Sequence, residues 1–526
     1  MKKILYIVAL SSLVGLGSCS KTDFSDAYTD PSKISKSSVE KQFAGALNSS
    51  MSSVLPSYWN YFVILRTTLQ YYNQAVGWVN YTGQYSPGSA AVTDRWNSYY
   101  SFVAQYREME KIYNALPADD QELYKIFMLS AKIYFYDHTQ KTVDLHGDIP
   151  WSKAGMLSTN GGDYMASLPA YDAAEDIYTT MLDDLADIAD DLNSITINSG
   201  ILVSFKNQDL INKGDLTKWK KYCNSLRLRM LTRVSGSSVL GARATSEIST
   251  ILSNSVSYPL VEDFADNIQV KVHDLNTGIN SKGFRTGLED WNGNMASKPM
   301  IDHMDSNSDP RLRLIFEPGV NADGSYMGID PLDDATDQSE MIADGVIAMY
   351  NRTTLSRNEY FPGMLINAAE VHFLKAEAYA RAGNNAAAKD AYEDGITQSV
   401  NQYIYIRSIS NSSVSPAIAP IDVTEVEDYL ISEDVDWDNA ATLSDRLSLI
   451  MVQKWIHLNV VQPMELWAEV RRLDPPLSFQ VDGASPQQQP PVRWQYPSSE
   501  ATYNKANYNA VSSGDNLTTK LFWDVQ

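Results

Sequence analysis

At residues 367–400 the chain has the sequence NAAEVHFLKAEAYARAGNNAAAKDAYEDGITQSV, and this stretch decides the fold class. Helix-favouring residues, alanine above all, fill it on both sides of Gly383-Asn384. A glycine followed by an asparagine is typical of a turn that ends one helix and begins the next. The stretch therefore predicts two helices, 367–382 and 385–400, that form a helical hairpin.

The same helical periodicity extends outward from this hairpin. The hairpin has small and aromatic residues at the spacing of a tetratricopeptide repeat, with His372 at the first aromatic position and then Ala376, Tyr379, Ala388, Tyr392 and Gly395. Further helices are predicted over 123–134, 174–192, 216–234, 444–461 and 467–472. Strand alternation is confined to 268–272. Long irregular stretches, which commonly carry function, cover 76–94, 274–298, 317–345 and 475–520.

The composition excludes several classes of protein. The 526 residues include 42 basic and 64 acidic side chains, which gives a formal net charge of −22. That charge argues against a nucleic-acid-binding protein and against a basic surface for anionic lipid. Two cysteines exclude a disulfide scaffold, and Cys223 is predicted to be a small buried residue of a helix. The length alone favours several domains.

The N-terminus has the pattern of a secretory signal. Lys2-Lys3 precede an apolar segment, 4–16, which is too short to span a bilayer and has the length of a signal-peptide core. The segment ends in Leu16-Gly17-Ser18-Cys19, which resembles the lipobox of bacterial lipoproteins. An ordinary signal peptide with a chance cysteine is the alternative. We expect a signal peptide over 1–18 and a lipidated Cys19 with a tether over 19–35.

Six short motifs follow one another along the rest of the chain. They are Gly147-Asp148-Ile149-Pro150-Trp151-Ser152-Lys153-Ala154; Gly214-Asp215 to Trp219 with Asn224-Ser225-Leu226-Arg227-Leu228-Arg229; Ser308-Asp309-Pro310-Arg311-Leu312; Ala369-Glu370 with Ala376-Glu377-Ala378; Gln453-Lys454-Trp455 with Glu465-Leu466-Trp467 and Arg471-Arg472; and Arg493, Tyr496-Pro497, Glu500 and Asn504. In physical terms the arginines and tryptophans of these helices favour structural ion pairs and stacking, and the Asp-Pro-Arg segment favours a turn. In this order the motifs resemble the SusD-like (SusD/RagB) nutrient-binding outer-membrane lipoproteins of Bacteroidetes.

The resemblance implies a fold, a role and a location. It implies one compact unit over 36–526, mainly α, in which tetratricopeptide-like helix pairs pack against an irregular loop-rich half with few short strands. It implies a protein without enzymatic activity or cofactor that binds an oligosaccharide, or in some members a peptide. The ligand would pass to a SusC-like TonB-dependent outer-membrane transporter. The protein would be lipid-anchored in the outer membrane and would face the cell exterior.

Two regions hold the candidate ligand contacts, because sugars and peptides pack on aromatic rings and bond to amides and charged groups. The first is the aromatic and amide-rich run 58–100, in which Trp78, Tyr81 and Tyr85 lie where helical pattern gives way to Gly83 and Pro87-Gly88. The second is 276–294, which contains Arg285, Trp291 and Asn292. In the family a loop in about this part of the chain faces the ligand. Plain packing is the alternative for each of these side chains.

Other interpretations remain open at the level of sequence. The acidic segment 328–344 would suit calcium, which some family members hold, but its spacing is not that of an EF-hand and a solvated loop is favoured. A surface glycosidase would need two placed carboxylates, which no motif identifies. A tetratricopeptide-type adaptor that binds only protein is the second alternative. We therefore predict neither catalytic nor metal-binding residues.

Overall fold

The computed structural model describes residues 37–473, 475 and 477–525. The predicted signal peptide, the lipidated Cys19 and the tether up to residue 35 lie outside these residues. Within them, the fold is mainly helical.

Fourteen helices of eight or more residues occur in the described part of the chain. They are α1 (Val39–Ser49), α2 (Ser89–Asn114), α3 (Ala118–His146), α4 (Ala174–Ser194), α5 (Ser199–Gln208), α6 (Leu216–Arg233), α7 (Gly241–Ser253), α8 (Lys298–Ser306), α9 (Ala335–Ala343), α10 (Ala368–Arg381), α11 (Asn385–Ser408), α12 (Val423–Leu430), α13 (Leu443–Leu458) and α14 (Pro463–Leu473). Shorter helices cover Met51–Val54, Leu69–Tyr72, Phe284–Glu289, Leu312–Ile315, Ser498–Tyr503 and Lys505–Tyr508, and a π-helix covers Trp59–Leu65.

The strands of the described residues form three small antiparallel pairs. The strands are β1 (Ile149–Pro150), β2 (Tyr171–Asp172), β3 (Ile268–Val270), β4 (Phe316–Glu317), β5 (Met349–Tyr350) and β6 (Gly363–Ile366). β1 pairs with β2, β3 with β6, and β4 with β5. In the longest pair, Ile268 lies opposite Ile366 and Val270 opposite Gly363, with a register shift after Ile268. These short pairs fasten irregular segments and do not build a sheet.

Five of the seven predicted helix starts lie within one residue of the observed starts, whereas α3 and α14 begin five and four residues earlier than predicted. Asn367 caps α10 by accepting the N–H of Glu370 at 2.9 Å, and Asp215 caps α6 by accepting the N–H of Lys218 at 3.1 Å. Gly383 has φ +76°, the left-handed conformation expected at the turn after α10. α11 runs on to Ser408, eight residues beyond the predicted end. The stretches predicted to be irregular contain α9 and several short helices, and α2 already begins at Ser89.

Helices joined by short connections pack as pairs. α10 packs on α11, α2 on α3, α6 on α7 and α13 on α14. Gly395 of α11 lies against Phe373 of α10, where a Cβ would be 2.5 Å from the ring. α6 also contacts α4 and α10, so it joins the pairs into one helical layer. Cys223, in the middle of α6, is fully buried as predicted.

Arg229 and Arg472 of the motif helices form ion pairs, as predicted, and these pairs are buried, whereas Arg471 bonds to backbone carbonyls. Arg229 bonds to Glu370 of α10 at 2.5 and 2.9 Å and to Asp137 of α3 at 3.1 Å. Arg472 of α14 bonds to both carboxylate oxygens of Glu377 at 2.5 and 2.6 Å. These pairs connect helices that are far apart in sequence.

The two motif tryptophans differ in their partners. The Arg471 guanidinium carbon lies 3.7 Å from the Trp467 ring centre, as the stacking interpretation predicted. Trp219 instead donates from Nε1 to the buried Asp209 carboxylate at 2.8 Å. The predicted fold class is confirmed: helix pairs pack against a half built from loops, short helices and small strands.

Candidate functional site

Four irregular segments meet at the candidate site, namely 75–88, 290–297, 328–338 and 477–489. The N–H of Gly77 donates to the C=O of Met295 at 2.8 Å, and the N–H of Ile329 donates to the C=O of Ala296 at 2.9 Å. These backbone bonds join three of the segments directly. The site is therefore held by contacts between residues hundreds of positions apart.

Gly77 and Asn80 make this close approach possible. A Cβ at Gly77 would lie 2.4 Å from the carbonyl oxygen of Ala296, so a larger residue would force the segments apart. The N–H of Asn80 donates to Oε1 of Gln338 at 2.7 Å, and Nδ2 of Asn80 donates to the C=O of Pro331 at 3.0 Å. The acidic segment is thus fixed beside the aromatic run.

Arg66, which follows the π-helix, holds the loop that carries Trp291. Its guanidinium donates to the C=O of Asp290 and, at 2.6 Å, to the C=O of Trp291. The arginine is buried, and its guanidinium carbon lies 5.1 Å from the Phe62 ring centre. A Cβ at Gly293 would lie 2.9 Å from that carbon, so the loop closes tightly around the cation. Arg66 therefore holds the peptide group that precedes Trp291 and the peptide group that follows it.

Trp291 is the one exposed tryptophan in the described residues, at 85% relative exposure. Its φ is +59° and that of Asn292 is +58°, so two consecutive non-glycine residues adopt the left-handed conformation. Such a residue costs about 1 kcal/mol or more and persists where the surroundings enforce it. Here Arg66 provides the enforcement, and the result is an indole ring held out in solvent.

Tyr81 is the second exposed aromatic residue of the site, at 47% relative exposure. Its N–H donates to Oε1 of Gln84 at 3.2 Å. Partial burial and the nearby Tyr71 raise the pKa of Tyr81 to about 12, while the charge of Arg66 lowers it. The phenol is therefore neutral at physiological pH and can both donate and accept a hydrogen bond. Tyr81 and the Trp291 loop both lie within the electrostatic reach of Arg66.

The structure buries two of the predicted contacts. Trp78 is 6% exposed, stacks on Tyr71 with ring centres 4.7 Å apart and donates from Nε1 to Gln84 at 2.9 Å. Tyr85 is fully buried, and its hydroxyl donates to the C=O of Gln480 at 2.8 Å. The expectation that these side chains touch a ligand is corrected here, because packing leaves them almost no surface. They support Tyr81 instead.

Arg285 and Asn292 have the exposure that a contact residue needs. The Arg285 side chain is 62% exposed, and its nearest carboxylate oxygen, on Glu289, is 3.9 Å away. Glu289 is held more closely by Arg357, at 2.8 and 2.9 Å. Arg285 therefore keeps its hydrogen-bonding capacity for solvent or a ligand.

No group of three or more metal-ligating side chains of the described residues could hold a metal ion. The carboxylates of the acidic segment point outward in part, since Asp334 and Asp337 are exposed. The Asp330 carboxylate accepts the N–H of Leu332 at 2.9 Å, which is a local turn contact. Part of this segment is helical and not a loop, because it contains α9.

A protein-family model named SusD-like matches residues 32–497. Its description is starch-binding and associating with the outer membrane. The chain belongs to this SusD-like family. No curated protein matches the sequence significantly. The family is associated with the outer membrane, and none of the described helices is long and apolar enough to cross a lipid bilayer.

Solved structures share the SusD-like fold over nearly the whole chain. A chitin-binding SusD homologue from Flavobacterium johnsoniae has 23% identity and a TM-score of 0.70, covering 92% of this chain and 99% of its own. A second chitin-binding protein has 22% identity and a TM-score of 0.72, with coverage of 92% and 100%. A SusD homologue from Bacteroides fragilis has 17% identity and a TM-score of 0.73, with coverage of 93% and 100%. At these identities the likeness establishes the fold.

Sequence reasoning missed Arg66, the residue that organises this SusD-like site. Its neighbours Leu65 and Thr67 gave no motif, and an arginine after an aromatic run is usually assigned to a solvated helix face. One signal was available, because Asp290-Trp291-Asn292-Gly293 is a turn-forming sequence with a large apolar residue inside it. That pattern indicates a displayed side chain, although it does not reveal what holds it.

Proposed function

We propose that this protein is a cell-surface lipoprotein that binds oligosaccharide nutrients and delivers them to a SusC-like TonB-dependent transporter. Residues 36–526 would form one domain, and Cys19 would carry the lipid. The observation that carries the proposal is Trp291, an exposed indole on a strained loop that Arg66 clamps in place. Membership of a family described as starch-binding supports the choice of ligand class.

The chemistry of the site suits a neutral sugar. The flat CH face of a sugar ring packs on an aromatic ring, and Trp291 and Tyr81 offer such rings to solvent. The amide of Asn292, the guanidinium of Arg285 and the neutral phenol of Tyr81 can bond to hydroxyl groups. Because Arg66 holds the Trp291 loop in advance, little ordering entropy would be lost on binding. An oligopeptide could use the same rings and polar groups, and it is the second ligand class to test.

We propose no catalytic role for this site. The Asp482 carboxylate accepts the N–H of Gly83 at 2.6 Å. It is thus engaged in holding the segment that carries Tyr81. A glycosidase would instead need a pair of carboxylates flanking a glycosidic bond, one of them kept protonated. Binding without hydrolysis of the bound oligosaccharide is the expected behaviour.

The first experiment uses soluble protein that begins at Ser20, tested on a glycan array and a peptide library in one format. We expect binding to a neutral glycan class, and we expect Trp291→Ala to weaken it at least about tenfold, as loss of a central aromatic contact does. Trp291→Phe keeps a ring and should retain most of the affinity. Ile431→Ala, at an apolar position that is 70% exposed, is the control for surface truncation.

The outcomes separate the candidate functions. Glycan binding that Trp291→Ala leaves unchanged would refute the site. Peptide-only binding would refute the sugar ligand and retain an uptake role. Tight binding to a transporter with no small ligand would favour the adaptor, and release of shorter sugars would favour the glycosidase.

The anchor needs its own test. In cells, Cys19→Ser should abolish incorporation of labelled fatty acid and release the protein from the membrane fraction. Protease treatment of intact cells should degrade the wild-type protein if it faces the exterior. Protection from protease in intact cells but not in lysed cells would place it on the periplasmic side.

A further inference from the structure

A second aromatic cleft lies between α2 and the short helix Ser498–Tyr503. It has a volume of about 260 Å³ and is lined by Asn97 and Tyr100 of α2, by Tyr164 and by Glu500 and Tyr503. None of these residues belongs to the four segments that meet at Trp291. The cleft is therefore a separate feature of the surface.

The rim of the cleft displays two tyrosine rings. Tyr164 is 54% exposed and Tyr503 is 69% exposed. Within the described residues, neither phenolic hydroxyl makes a hydrogen bond, and the exposed amide of Asn97 makes none either. Trp96, which is 3% exposed, packs beneath with its ring centre 4.8 Å from that of Tyr100. The rim thus combines ring faces with polar groups that have spare hydrogen-bonding capacity.

The walls of the cleft are fixed to each other by side-chain bonds. The Tyr171 hydroxyl donates to Oε2 of Glu500 at 2.8 Å. Nδ2 of Asn504 donates to the C=O of Pro169 at 3.0 Å and to the same Glu500 oxygen at 3.3 Å. These bonds tie the segment that follows Tyr164 to the helix that carries Tyr503. The arrangement is built before any ligand binds.

Glu500 lines the cleft, and its neighbours bond to Oε2. Oε1 accepts no hydrogen bond within the part of the chain that the structure describes. Burial, and then the Glu500 carboxylate, raise the pKa of Tyr171, so this phenol stays protonated and remains a donor. A carboxylate acceptor suits the hydroxyl groups of a ligand and disfavours an anionic ligand. A neutral polyhydroxylated ring satisfies both the carboxylate and the tyrosine faces.

We propose that this cleft is a second saccharide-binding site, which takes one sugar residue of a neutral glycan between Tyr164 and Tyr503. The inference rests on the proposed function, since it assumes a glycan ligand. A second site would let one long glycan, or two neighbouring chains, engage the protein at two points. Two linked sites bind such a ligand more tightly than either does alone.

The test uses soluble protein from Ser20 with chitohexaose and maltohexaose as probes, in calorimetric titrations and crystal soaks. We expect two sites on wild-type protein, with Tyr503→Ala removing one and Trp291→Ala removing the other, each by about tenfold or more in affinity. Tyr503→Phe keeps the ring and should retain the site. Glu500→Gln tests the carboxylate, and Ile431→Ala, at a 70% exposed apolar residue outside both sites, is the control.

Each result bears on one claim. Binding at a single site that Trp291→Ala abolishes and Tyr503→Ala leaves unchanged would overturn the second site and keep the proposed function. Binding that Tyr503→Ala abolishes and Trp291→Ala does not would support the cleft and refute the Trp291 site. Soaked crystals with sugar density at Trp291 alone would overturn the inference. Binding of peptides and of neither sugar would overturn it as well.

Discussion

Replacing Arg229 by leucine should strongly destabilise the protein, although the residue touches no proposed ligand. Arg229 is 2% exposed in its side chain and bonds to Glu370, to Asp137 and, at 2.7 Å, to the C=O of Leu365. Leucine would fill part of the space and provide none of these bonds. The side chains left behind decide the magnitude.

Glu370 is the group that loses most. Arg229 also lies 3.5 Å from Glu465. Without Arg229, Asp137 still pairs with Lys141 at 2.7 Å, and Glu465 still pairs with Arg233 at 2.8 Å. Glu370, 5% exposed in its side chain, has Arg229 as its ion-pair partner and would remain as an uncompensated buried carboxylate. Breaking a buried pair in this way costs about 3–5 kcal/mol of unfolding free energy.

The pH dependence follows from the pKa of Glu370. Burial raises that pKa even in the wild type, where Arg229 lowers it, so removing Arg229 raises it further. Because the pKa of Glu370 is higher in the folded state, its ionisation lowers the free energy of unfolding at pH values above the unfolded-state pKa. This destabilisation disappears when the carboxyl is protonated in both states. The deficit of Arg229→Leu should therefore be largest near neutral pH and shrink as the pH falls toward about 5.

Urea unfolding followed by tryptophan fluorescence measures the effect. Arg285→Leu is the control, because that arginine is 62% exposed and should change stability by less than about 0.5 kcal/mol. The double variant Arg229→Leu, Glu370→Leu removes both charges and should recover much of the loss. A single variant no less stable than the control, or a double variant no more stable than the single one, would refute the reasoning.

Three further predictions test other parts of the structure. Burial raises the pKa of Asp137, but a neighbouring lysine and arginine lower it to about 2, so ionised Asp137 adds about 2 kcal/mol to the free energy of unfolding at neutral pH. This contribution is lost as the pH falls from about 4 to about 2, and Asp137→Asn should lower the free energy of unfolding by the same amount in urea at pH 7. A stability difference between variant and wild type that does not narrow in acid would contradict this. Gly395→Ala puts a Cβ 2.5 Å from Phe373 and should lower the free energy of unfolding by about 1–3 kcal/mol. Gly45→Ala, in a helix with open space around the glycine, should raise it by up to about 1 kcal/mol. Equal melting temperatures for the two variants would be inconsistent with close packing of the helix hairpin. Trp291→Gly relieves the strain of the left-handed backbone at this position and should raise the free energy of unfolding by about 1 kcal/mol. The same variant should lose glycan binding. A variant less stable than the wild type would show that the loop is not strained.

Much of the helical half could be predicted because its determinants are local. Helical periodicity, Asn367 and Asp215 at helix starts, and the glycine turn after α10 act within a few residues of each other. The buried role of the motif arginines was also readable, because an arginine amid apolar helix positions needs a carboxylate partner. The identity of each partner was not readable, since Arg229 and Glu370 are 141 positions apart.

The loop half shows where local reasoning ends. Tyr81 and Tyr85 have the same residue type in the same kind of sequence, yet one is 47% exposed and the other fully buried. The difference comes from Gln480, almost four hundred residues away, which accepts the Tyr85 hydroxyl. No spacing within the aromatic run encodes that contact.

The sequence by itself determined the helical hairpin, most of the other predicted helices and the family resemblance, and that resemblance made Trp291 a candidate ligand contact. Only the tertiary structure decided which aromatic side chains reach solvent, that Arg66 holds the Trp291 loop, and that a second cleft forms beside Tyr503. The physical reason is the range of the forces involved. Helix formation and capping depend on neighbours along the chain, whereas burial and the shape of a binding site depend on segments that only folding brings together.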